Sequence, residues 1–571
     1  MKKNIVVKNA YVFQTYRQCF EKRDFTVVGD RIYSVSPAIE EQLEEDCTVI
    51  DATGKYIIPG LIDIHMHIES SMTYPKEFSN AVLKYGVTSV VADPHEIANV
   101  FGMEGIRSFM DQDTKLDIFY GIPSCVPSTD AQTETSGASI GPDEVKELLQ
   151  DPRVVCLGEV MNFKDMVSTE QTKIREIIAC CQKNERKVRI EGHCPKLSHE
   201  NYNQYIYYGV DSDHTQQTAA SLLEKIDLGM FMELQKKSLV PEVIEAIKEN
   251  QLYESIALIT DDTMPDTLLK GQLNEIVKYA VELGMPVEKA IYCATYTPAR
   301  RMYLDDRGVI APGKKADFII LDNLQEFSIV DVYKNGEKIV PDQEHCGKEK
   351  ADTVFPSHFY QSVHCRQAEA TDFTVAYEQD GEVLANVICI HEFGTFTEKQ
   401  QVKLEVRNKK VCWQEAGLSL VTIFERHNKT QTVTHGFVKN AFTQRGAVAT
   451  TWSHDSHNLL VIGNSVEDMI VAQRDVCKMQ GGYTVAANGA VMAHAPLTIG
   501  GIISDEPIEV LADQMGRVRE AITQLGYRNN NVIMSISTLA LVVSPELKMT
   551  DKGLYNVRTQ QFEELIMPLN L

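Results

Sequence analysis

Alternating apolar and polar residues form short runs over the first fifty positions of the chain, and glycine-containing turns separate them. The runs Phe25–Val28 and Arg31–Val35, divided by Gly29-Asp30, have the period of two that is typical of half-buried strands. Similar runs return at 308–310, 316–321 and 330–337. We therefore predict one composite β-sandwich domain, made of residues 1–55 and 305–345, with the intervening segment inserted into it.

Between these two stretches, residues 56–304 alternate short apolar strands with helix patterns, which is typical of a parallel βα architecture. The first run, Tyr56 to Ile64, predicts one buried strand entered through Pro59-Gly60. Helix patterns follow the strands, for example at 169–184 and 272–283. The predicted strand ends are Ile64, Asp93, Ile122, Glu159, His193, His214, Leu234 and Asp261. Eight such units close a distorted (β/α)8 TIM-like barrel, so the predicted fold class is α/β.

The pattern changes again beyond residue 350, where strand runs at 402–406 and 418–424 accompany glycine pairs and a helical stretch from Ser465 to Met479. We predict an additional C-terminal α+β domain over 350–571, which is an ordinary size for a domain. Its densest histidine cluster is Trp452–Asn458. We interpret that cluster first as histidines that cap strand ends at an interface, with a role in the chemistry as the alternative.

Composition and charge narrow the choice of partners. The net charge of −24 and the pI near 5.1 argue against nucleic acid and against anionic membrane surfaces. No stretch approaches the ~20 apolar residues that a membrane span needs, and the N-terminus runs into a strand pattern rather than a signal-peptide core. The thirteen cysteines include no C-x-x-C pair and are interpreted as reduced. We therefore expect a cytoplasmic protein that acts on a small neutral or cationic molecule. As a separate expectation, the protein is a homo-oligomer, a dimer.

Side chains of metal-ligand type recur at the predicted strand ends. His65 and His67 are spaced i, i+2 on the first strand, so both imidazoles point the same way and can face one metal ion. A single histidine or acid at such a position is more often structural. Because the C-terminal ends of barrel strands meet on one face, their recurrence argues for a divalent metal site. The six candidate ligands are His65, His67, Glu159, His193, His214 and Asp261.

Six ligands of these types suit two divalent ions that share a bridging oxygen. Such a pair lowers the pKa of the bridging water from ~15.7 toward 7 and makes hydroxide available near neutral pH. An aspartate beside the metals can accept the proton of that water and carry it to the leaving group. The pattern therefore favours hydroxide chemistry at a pair of divalent ions.

The order His-x-His, Glu, His, His, Asp resembles the amidohydrolase superfamily, metal-dependent hydrolases on a distorted (β/α)8 barrel flanked by a split β domain. Several longer motifs resemble those of the bacterial adenine deaminase family within it. They are Ile62–Met72, Ala92–Val100, Gly158–Asn162, Asp211–His214, Thr260–Asp262 and the later Asp317. The likeness continues in the last domain at Glu425-Arg426-His427 and at His454–Asn458, so it covers nearly the whole chain.

This resemblance implies an activity and its residues. The implied reaction converts adenine and water to hypoxanthine and ammonia, in purine salvage, by attack of a metal-bridging hydroxide at C6. Glu159 matches the glutamate that bridges the metals, and manganese or iron(II) is implied, with zinc as an alternative. The resemblance also implies that Asp93, His95 and Glu96 lie near the metals. Asp261 would transfer the proton and Asp262 would help to hold the ring, so the predicted catalytic residues are Asp261, Glu159, Asp262 and Glu96.

Two loops depart from the pattern of that family. Gln235-Lys236-Lys237-Ser238 stands where Arg-Glu-Gly-Ser is expected, and Gly271-Gln272 stands where a Gly-His pair is expected. Both loops follow barrel strands on the substrate face, which makes Gln235 and Gln272 candidates for substrate recognition. One alternative is therefore a deaminase or amidohydrolase acting on another cyclic amidine, amide or aminated heterocycle. An alternative of another class is a non-catalytic assembly protein, which the full set of six ligand types disfavours.

Overall fold

The computed structural model describes residues 4–39, 47–168, 171–194, 199–340 and 355–569. The first strands form an edge of one sheet, in which β1 pairs antiparallel with β2 and parallel with β4 and β5. Val7 and Phe25 are fully buried in the small core of this sheet. The strands are β1 (Asn4–Gln14), β2 (Cys19–Val28), β3 (Arg31–Ser36), β4 (Cys47–Asp51) and β5 (Tyr56–Pro59).

Eight parallel strands follow, and each corresponds to a strand predicted from the sequence. They lie in two arcs, β10-β9-β8-β7-β6 and β11-β12-β13. A parallel bridge between Met66 and Asp261 joins the arcs on one side, and the Asp211 amide donates to the Ile190 carbonyl on the other. The strands are β6 (Leu61–Met66), β7 (Val87–Ala92), β8 (Asp117–Ile122), β9 (Val154–Val160), β10 (Arg189–Gly192), β11 (Ser212–Asp213), β12 (Phe231–Leu234) and β13 (Ile256–Leu258). The predicted TIM-like barrel is confirmed.

The prediction of one continuous strand from Tyr56 to Ile64 is wrong, because the run divides at Gly60 between two sheets. β5 pairs with β1 and with a later strand of the first sheet, whereas β6 pairs with β7 in the barrel. A Cβ atom at Gly60 would lie 2.2 Å from Thr88 Oγ1, so only glycine allows the chain to pass between the two sheets. Pro59-Gly60 is therefore a crossing point and not an entry into one strand.

Helices cover the outside of the barrel. In α10 the buried residues Leu273, Ile276, Val277 and Ala280 recur every three or four positions, so one face of the helix packs inward. The helices are α1 (Pro75–Leu83), α2 (His95–Met110, interrupted at Gly102), α3 (Pro142–Leu148), α4 (Phe163–Val167), α5 (Lys173–Lys183), α6 (His199–Tyr207), α7 (Ala219–Asp227), α8 (Pro241–Glu249), α9 (Pro265–Leu268), α10 (Leu273–Glu282), α11 (Val287–Cys293) and α12 (Tyr296–Arg301). The first two residues of the helix predicted at 169–184 lie outside the described residues.

The chain then returns to the first sheet with β14 (Phe318–Asn323), β15 (Ser328–Lys334) and β16 (Glu337–Lys338). The sheet order is β16-β15-β14-β5-β1-β2-β3, with β4 also paired to β1, so strands from both sides of the barrel share one sheet. The domain boundaries 1–55 with 305–345, 56–304 and 350–571 stay a prediction. The junction 341–354, between the segment 305–345 and the C-terminal domain, lies outside the described residues.

A ten-stranded sheet, a separate three-stranded sheet and three α-helices form the described C-terminal region, residues 355–569. The helix predicted from Ser465 is confirmed, and the Ser465 hydroxyl accepts the Asp468 amide at its start. The helices are α13 (Val466–Met479), α14 (Ile508–Gln524) and α15 (Val532–Ser537). The strands are β17 (Gly381–Ile390), β18 (Thr397–Arg407), β19 (Lys410–Val411), β20 (Ser419–Phe424), β21 (Val433–Lys439), β22 (Ala447–Thr450), β23 (Leu459–Gly463), β24 (Gly482–Ala487), β25 (Ala490–Pro496), β26 (Leu547–Thr550), β27 (Gly553–Asn556), β28 (Gln561–Glu563) and β29 (Ile566–Pro568).

This C-terminal region packs directly on the barrel. The Ser504 amide donates to the Met72 carbonyl over 2.8 Å, and Asn458 Nδ2 donates to the Thr135 carbonyl over 2.8 Å. Arg519 pairs with Asp266 on α9 at 3.0 Å. These contacts lie near the C-terminal ends of the barrel strands, so the C-terminal region borders the face where a barrel enzyme carries its chemistry. Among the described residues, we find no helix with the length and apolar character of a bilayer span.

Candidate metal centre and active site

His65 near the end of β6 and His67 just after it are almost fully buried at the mouth of the barrel. His67 Nδ1 donates to the Asp93 carbonyl over 3.0 Å, which leaves Nε2 as a free acceptor. That Nε2 lies 3.4 Å from Glu159 Oε1 and 3.6 Å from Asp261 Oδ1. His65 Nε2 is buried without a hydrogen-bond partner. His65 therefore presents a bare nitrogen, and His67 turns its Nε2 toward two carboxylates, so both rings are placed as metal ligands would be.

Glu159 stands at the end of β9, between two sets of histidines. Its Oε1 faces His67, and its Oε2 lies 2.6 Å from His193 Nδ1 and 3.2 Å from His214 Nε2. Burial alone would raise the pKa of this carboxyl, but the charges of His193 and His214 outweigh burial and hold the pKa well below its usual range. An ionised carboxylate with one oxygen toward each set has the form of a bridging ligand.

His193 and His214 follow β10 and β11. His214 stacks on His65 with ring centroids 3.8 Å apart, and its Nδ1 donates to the Gly192 carbonyl over 3.0 Å. His193 Nδ1 lies 3.2 Å from His214 Nε2. The side chain of His193 is 31% exposed, so this side of the cluster opens toward solvent.

Asp261 closes the cluster from the end of β13. Its backbone has a left-handed φ of 60°, which is uncommon outside glycine and recurs at functional sites. Its Oδ2 accepts a hydrogen bond of 2.7 Å from Gln235 Nε2, and Lys237 Nζ lies 3.8 Å away. Burial would raise the pKa of Asp261, but His214, Lys237 and His65 lower it to about 2. The carboxylate is therefore ionised at neutral pH.

The donor set of this cluster fits divalent cations. His65, His67 and Asp261 bring one ligand atom each within 4.8 Å of one another, and so do His65, Glu159 and His214. The atoms are imidazole nitrogens and carboxylate oxygens, which suit manganese, iron and zinc. Although burial would lower it, the pKa of His214 is raised to about 9, chiefly by Glu159. The carboxylates thus stabilise positive charge at this place, which a metal ion also supplies.

Asp93 and His95 lie beside the cluster. Asp93 Oδ2 accepts the Glu159 amide over 3.2 Å, and the rings of His95 and His67 are 4.7 Å apart. A Cβ atom at Gly158 would meet Asp93 Oδ2 at 2.0 Å, so the approach of this carboxylate to β9 depends on glycine there. Asp93 therefore supports the backbone that presents Glu159.

Glu96, one residue further along α2, is held by the C-terminal region. Its Oε1 lies 2.7 Å from His454 Nε2, its Oε2 contacts His457 Nε2, and His95 Nε2 lies 3.3 Å away. His454 Nδ1 in turn lies 2.6 Å from the Ser537 hydroxyl. The cluster Trp452–Asn458 does lie at an interface between domains, and its histidines contact a residue of the barrel that we predicted to be catalytic.

The remaining sequence candidates have defined surroundings. Asp262 is exposed at the mouth of the barrel and accepts a hydrogen bond from the Ser70 hydroxyl. Gln235 donates to Asp261 and to the His214 carbonyl, within the metal cluster. Gln272 donates to Asp63 Oδ2 over 2.6 Å, beneath the cluster. Both glutamine amides are engaged by protein groups, and their role in substrate recognition stays a prediction.

One residue of the site escaped the sequence analysis. Glu233 on β12 is fully buried, and its Oε2 lies 3.3 Å from His65 Nδ1. A carboxylate behind a ligating histidine fixes the orientation of the ring. Burial raises the pKa of Glu233. The sequence feature that could have indicated Glu233 is its position as an acid inside the apolar strand Phe231–Leu234, one residue before the strand ends.

The chain is similar in sequence to known proteins over nearly its whole length. Residues 56–339 match the amidohydrolase family, and residues 394–561 match the adenine deaminase C-terminal domain. A protein of Clostridium perfringens named adenine deaminase is 48% identical over 562 residues, with 98% of each chain covered. One of Lactobacillus delbrueckii subsp. bulgaricus with the same name is 46% identical over 564 residues, again with 98% of each chain covered. A crystal structure of an adenine deaminase matches 59% of this chain and 99% of its own, with 16% identity and a TM-score of 0.46.

Proposed function

The chain belongs to the adenine deaminase family of amidohydrolases, and from that premise we propose that it hydrolyses adenine to hypoxanthine and ammonia. The observation that carries the proposal is the position of Glu159 between His67 on one side and His193 with His214 on the other. Membership of the amidohydrolase family implies divalent metal binding, and this arrangement supplies the donors for it.

We assign the six strand-end residues to two divalent ions. His65, His67 and Asp261 would hold one ion, His193 and His214 would hold the other, and Glu159 would contact both. Two ions bound in this way lower the pKa of a water molecule shared between them. The bare Nε2 of His65 and the ionised carboxylates of Glu159 and Asp261 support this assignment.

Asp261 is proposed as the residue that moves the proton. In the net reaction water adds to C6 of the purine ring, the bond from C6 to the exocyclic nitrogen breaks, and ammonia leaves. The attacking water loses a proton and the leaving nitrogen gains one, so a single carboxylate can serve both steps. Asp261 is ionised at neutral pH, so its carboxylate is in the form that can take up that proton. Gln235 holds one carboxylate oxygen by its hydrogen bond, which orients the other.

Asp262 is proposed to bind the purine ring, and the catalytic role expected for Glu96 stays a prediction. Asp262 is exposed at the mouth of the barrel, where a substrate enters, and Ser70 fixes its carboxylate. Glu96 is fixed by His454 and His457 from the C-terminal region. Carboxylates can accept hydrogen bonds from the N–H groups of a purine, and a site built on such bonds strongly rejects analogues that lack them.

A second candidate is hydrolysis of another aminated heterocycle at the same metals. The observation that favours it is the loop at Gln235–Ser238, where an amide donates to Asp261 at the place the family pattern gives to arginine. Ammonia release measured against a panel of aminopurines and aminopyrimidines, on enzyme reconstituted with Mn²⁺, decides between the two. Fastest turnover of adenine supports the first proposal, and turnover of another member alone refutes it.

We further propose manganese or iron(II) as the working metals, with zinc as an alternative, because the donors are nitrogen and oxygen without thiolate. A role in purine salvage is proposed from the adenine deaminase names of the relatives, and the cytoplasmic location expected from the sequence stays a prediction. The dimer expected from the sequence stays a prediction that light scattering of the purified protein tests.

A further inference from the structure

Beside the proposed pair of metals, a second cluster of ligand-type side chains joins the barrel to the C-terminal region. We propose that it binds a third divalent cation, held by His95 and Glu96 of α2 and by Asp455 of the C-terminal region, with His454 and His457 around it. One ligand atom each of His95, Glu96 and Asp455 lies within 4.8 Å of the other two. This site is distinct from the six strand-end residues.

The geometry of this junction cluster parallels that of the proposed pair. Around Glu159, carboxylate oxygens lie 2.6–3.4 Å from imidazole nitrogens. Around Glu96, His454 Nε2 lies at 2.7 Å, His95 Nε2 at 3.3 Å and His457 Nε2 in direct contact. Three imidazoles thus converge on one carboxylate by the same ring nitrogen, and Asp455 adds a second carboxylate.

The cluster is sealed from solvent and incompletely satisfied. The exposed fractions are 5% for His95, 1% for Glu96 and 2% for Asp455. Asp455 Oδ2 and His95 Nδ1 have no hydrogen-bond partner among the described residues. Buried polar atoms without partners are costly, and two buried carboxylates this close repel each other. A divalent cation would satisfy the oxygens and balance both charges.

Hydrogen bonds alone account for only part of this arrangement. His457 Nε2 donates to Oε2 of Glu96, whereas His454 Nε2 lies 2.7 Å from Oε1 without the geometry of a hydrogen bond. Asp455 gains nothing from these contacts and stays buried beside an ionised carboxylate. Nitrogen and oxygen donors without thiolate suit manganese, iron or zinc, as at the first cluster. Because the ligands come from two domains, the cation would also hold the C-terminal region against the barrel.

The first test uses the unaltered full-length enzyme. Crystals of protein stripped with a chelator and reconstituted with Mn²⁺ are measured at the manganese absorption edge. We expect an anomalous peak among His95, Glu96 and Asp455, separate from the density around Glu159. Manganese around Glu159 with no peak at the junction overturns this inference and leaves the proposed function intact.

The second test counts manganese per chain by mass spectrometry after reconstitution and desalting. We expect three equivalents in the parent, two in Asp455→Asn and in His454→Gln, and one in Glu159→Gln, which loses the catalytic pair. Asp468→Asn is the matched control, because Asp468 is a fully buried carboxylate of the same domain outside the cluster. It should retain three equivalents and the activity of the parent. Two equivalents in the parent with none lost in Asp455→Asn refute the third site, whereas full retention in Glu159→Gln refutes the proposed pair instead.

Discussion

Replacement of Lys225 by methionine should destabilise the part of the barrel that carries His193 and His214. Lys225 Nζ lies 2.6 Å from Asp213 Oδ2, and both side chains are almost fully buried. Asp213 also accepts the Cys194 amide and the Thr215 hydroxyl. It therefore fastens together the loops that follow β10 and β11.

The magnitude follows from the burial of this pair. Removal of one partner of a buried ion pair costs about 3–5 kcal/mol, because the other charge stays in a low-dielectric site without compensation. Burial alone raises the pKa of Asp213, and Lys225 is the largest of the groups that lower it. In the parent, the depressed pKa of Asp213 stabilises the folded state at pH values above the pKa of an unfolded aspartate. This stabilisation is lost as the pH falls toward the pKa of Asp213 in the folded state. In Lys225→Met most of that contribution disappears, so the difference from the parent should stay constant from pH 7 to about pH 5 and shrink only below about pH 4, the pKa of an unfolded aspartate.

Pulse proteolysis in urea measures the free energy of unfolding for the parent, Lys225→Met, Asp213→Asn and the double variant. The double variant should recover a large part of the loss in Lys225→Met, because no unpaired charge remains. Affinity for Mn²⁺ should fall together with stability in the single variant. A loss below about 1 kcal/mol in Lys225→Met at pH 7 would refute the reasoning, since a buried unpaired carboxylate cannot cost so little.

Three further predictions concern other parts of the chain. Burial lowers the pKa of Lys548 to about 7, so between pH 7 and 10 the unfolded state binds one more proton than the folded state and the free energy of unfolding should rise with pH. Urea titrations of Lys548→Met should show a flatter dependence on pH. The double variant Gln235→Arg, Gln272→His should change adenine turnover by up to ~10⁴-fold at unchanged metal content if these loops determine the substrate. Kinetics equal to those of the parent would show that they do not. Gly158→Ala should displace Asp93 and reduce both bound manganese and turnover, measured against Gly516→Ala, where an added Cβ has no neighbour within 4 Å.

Much of this site can be predicted from the sequence, because its metal-ligand residues come directly after the apolar runs that form the barrel strands. His65, Glu159 and Asp261 each follow an apolar run, and the parallel topology brings such ends to one face. Glu233 was missed because an acid within an apolar strand gives no sign of which neighbour it meets. The contact of Glu96 with His457 joins residues 361 positions apart, and only the docking of the two domains determines it.

The division of the run 56–64 shows a related limit. The burial pattern of β5 and β6 is continuous, so hydrophobicity alone predicts one strand. The hydrogen-bond partners change at Gly60, from β1 and β14 to β7. Sequence patterns report burial, whereas the choice of partner strand depends on the assembled fold.

The central claim is that Glu159 bridges two divalent ions that are required for deamination. Its most direct test is the manganese content of reconstituted Glu159→Gln, with adenine turnover assayed on the same samples and Asp468→Asn as control. An amide supplies one neutral oxygen where the site needs two anionic ones, so we expect the loss of both catalytic ions and of turnover. Parent levels of manganese and turnover in Glu159→Gln would contradict the account.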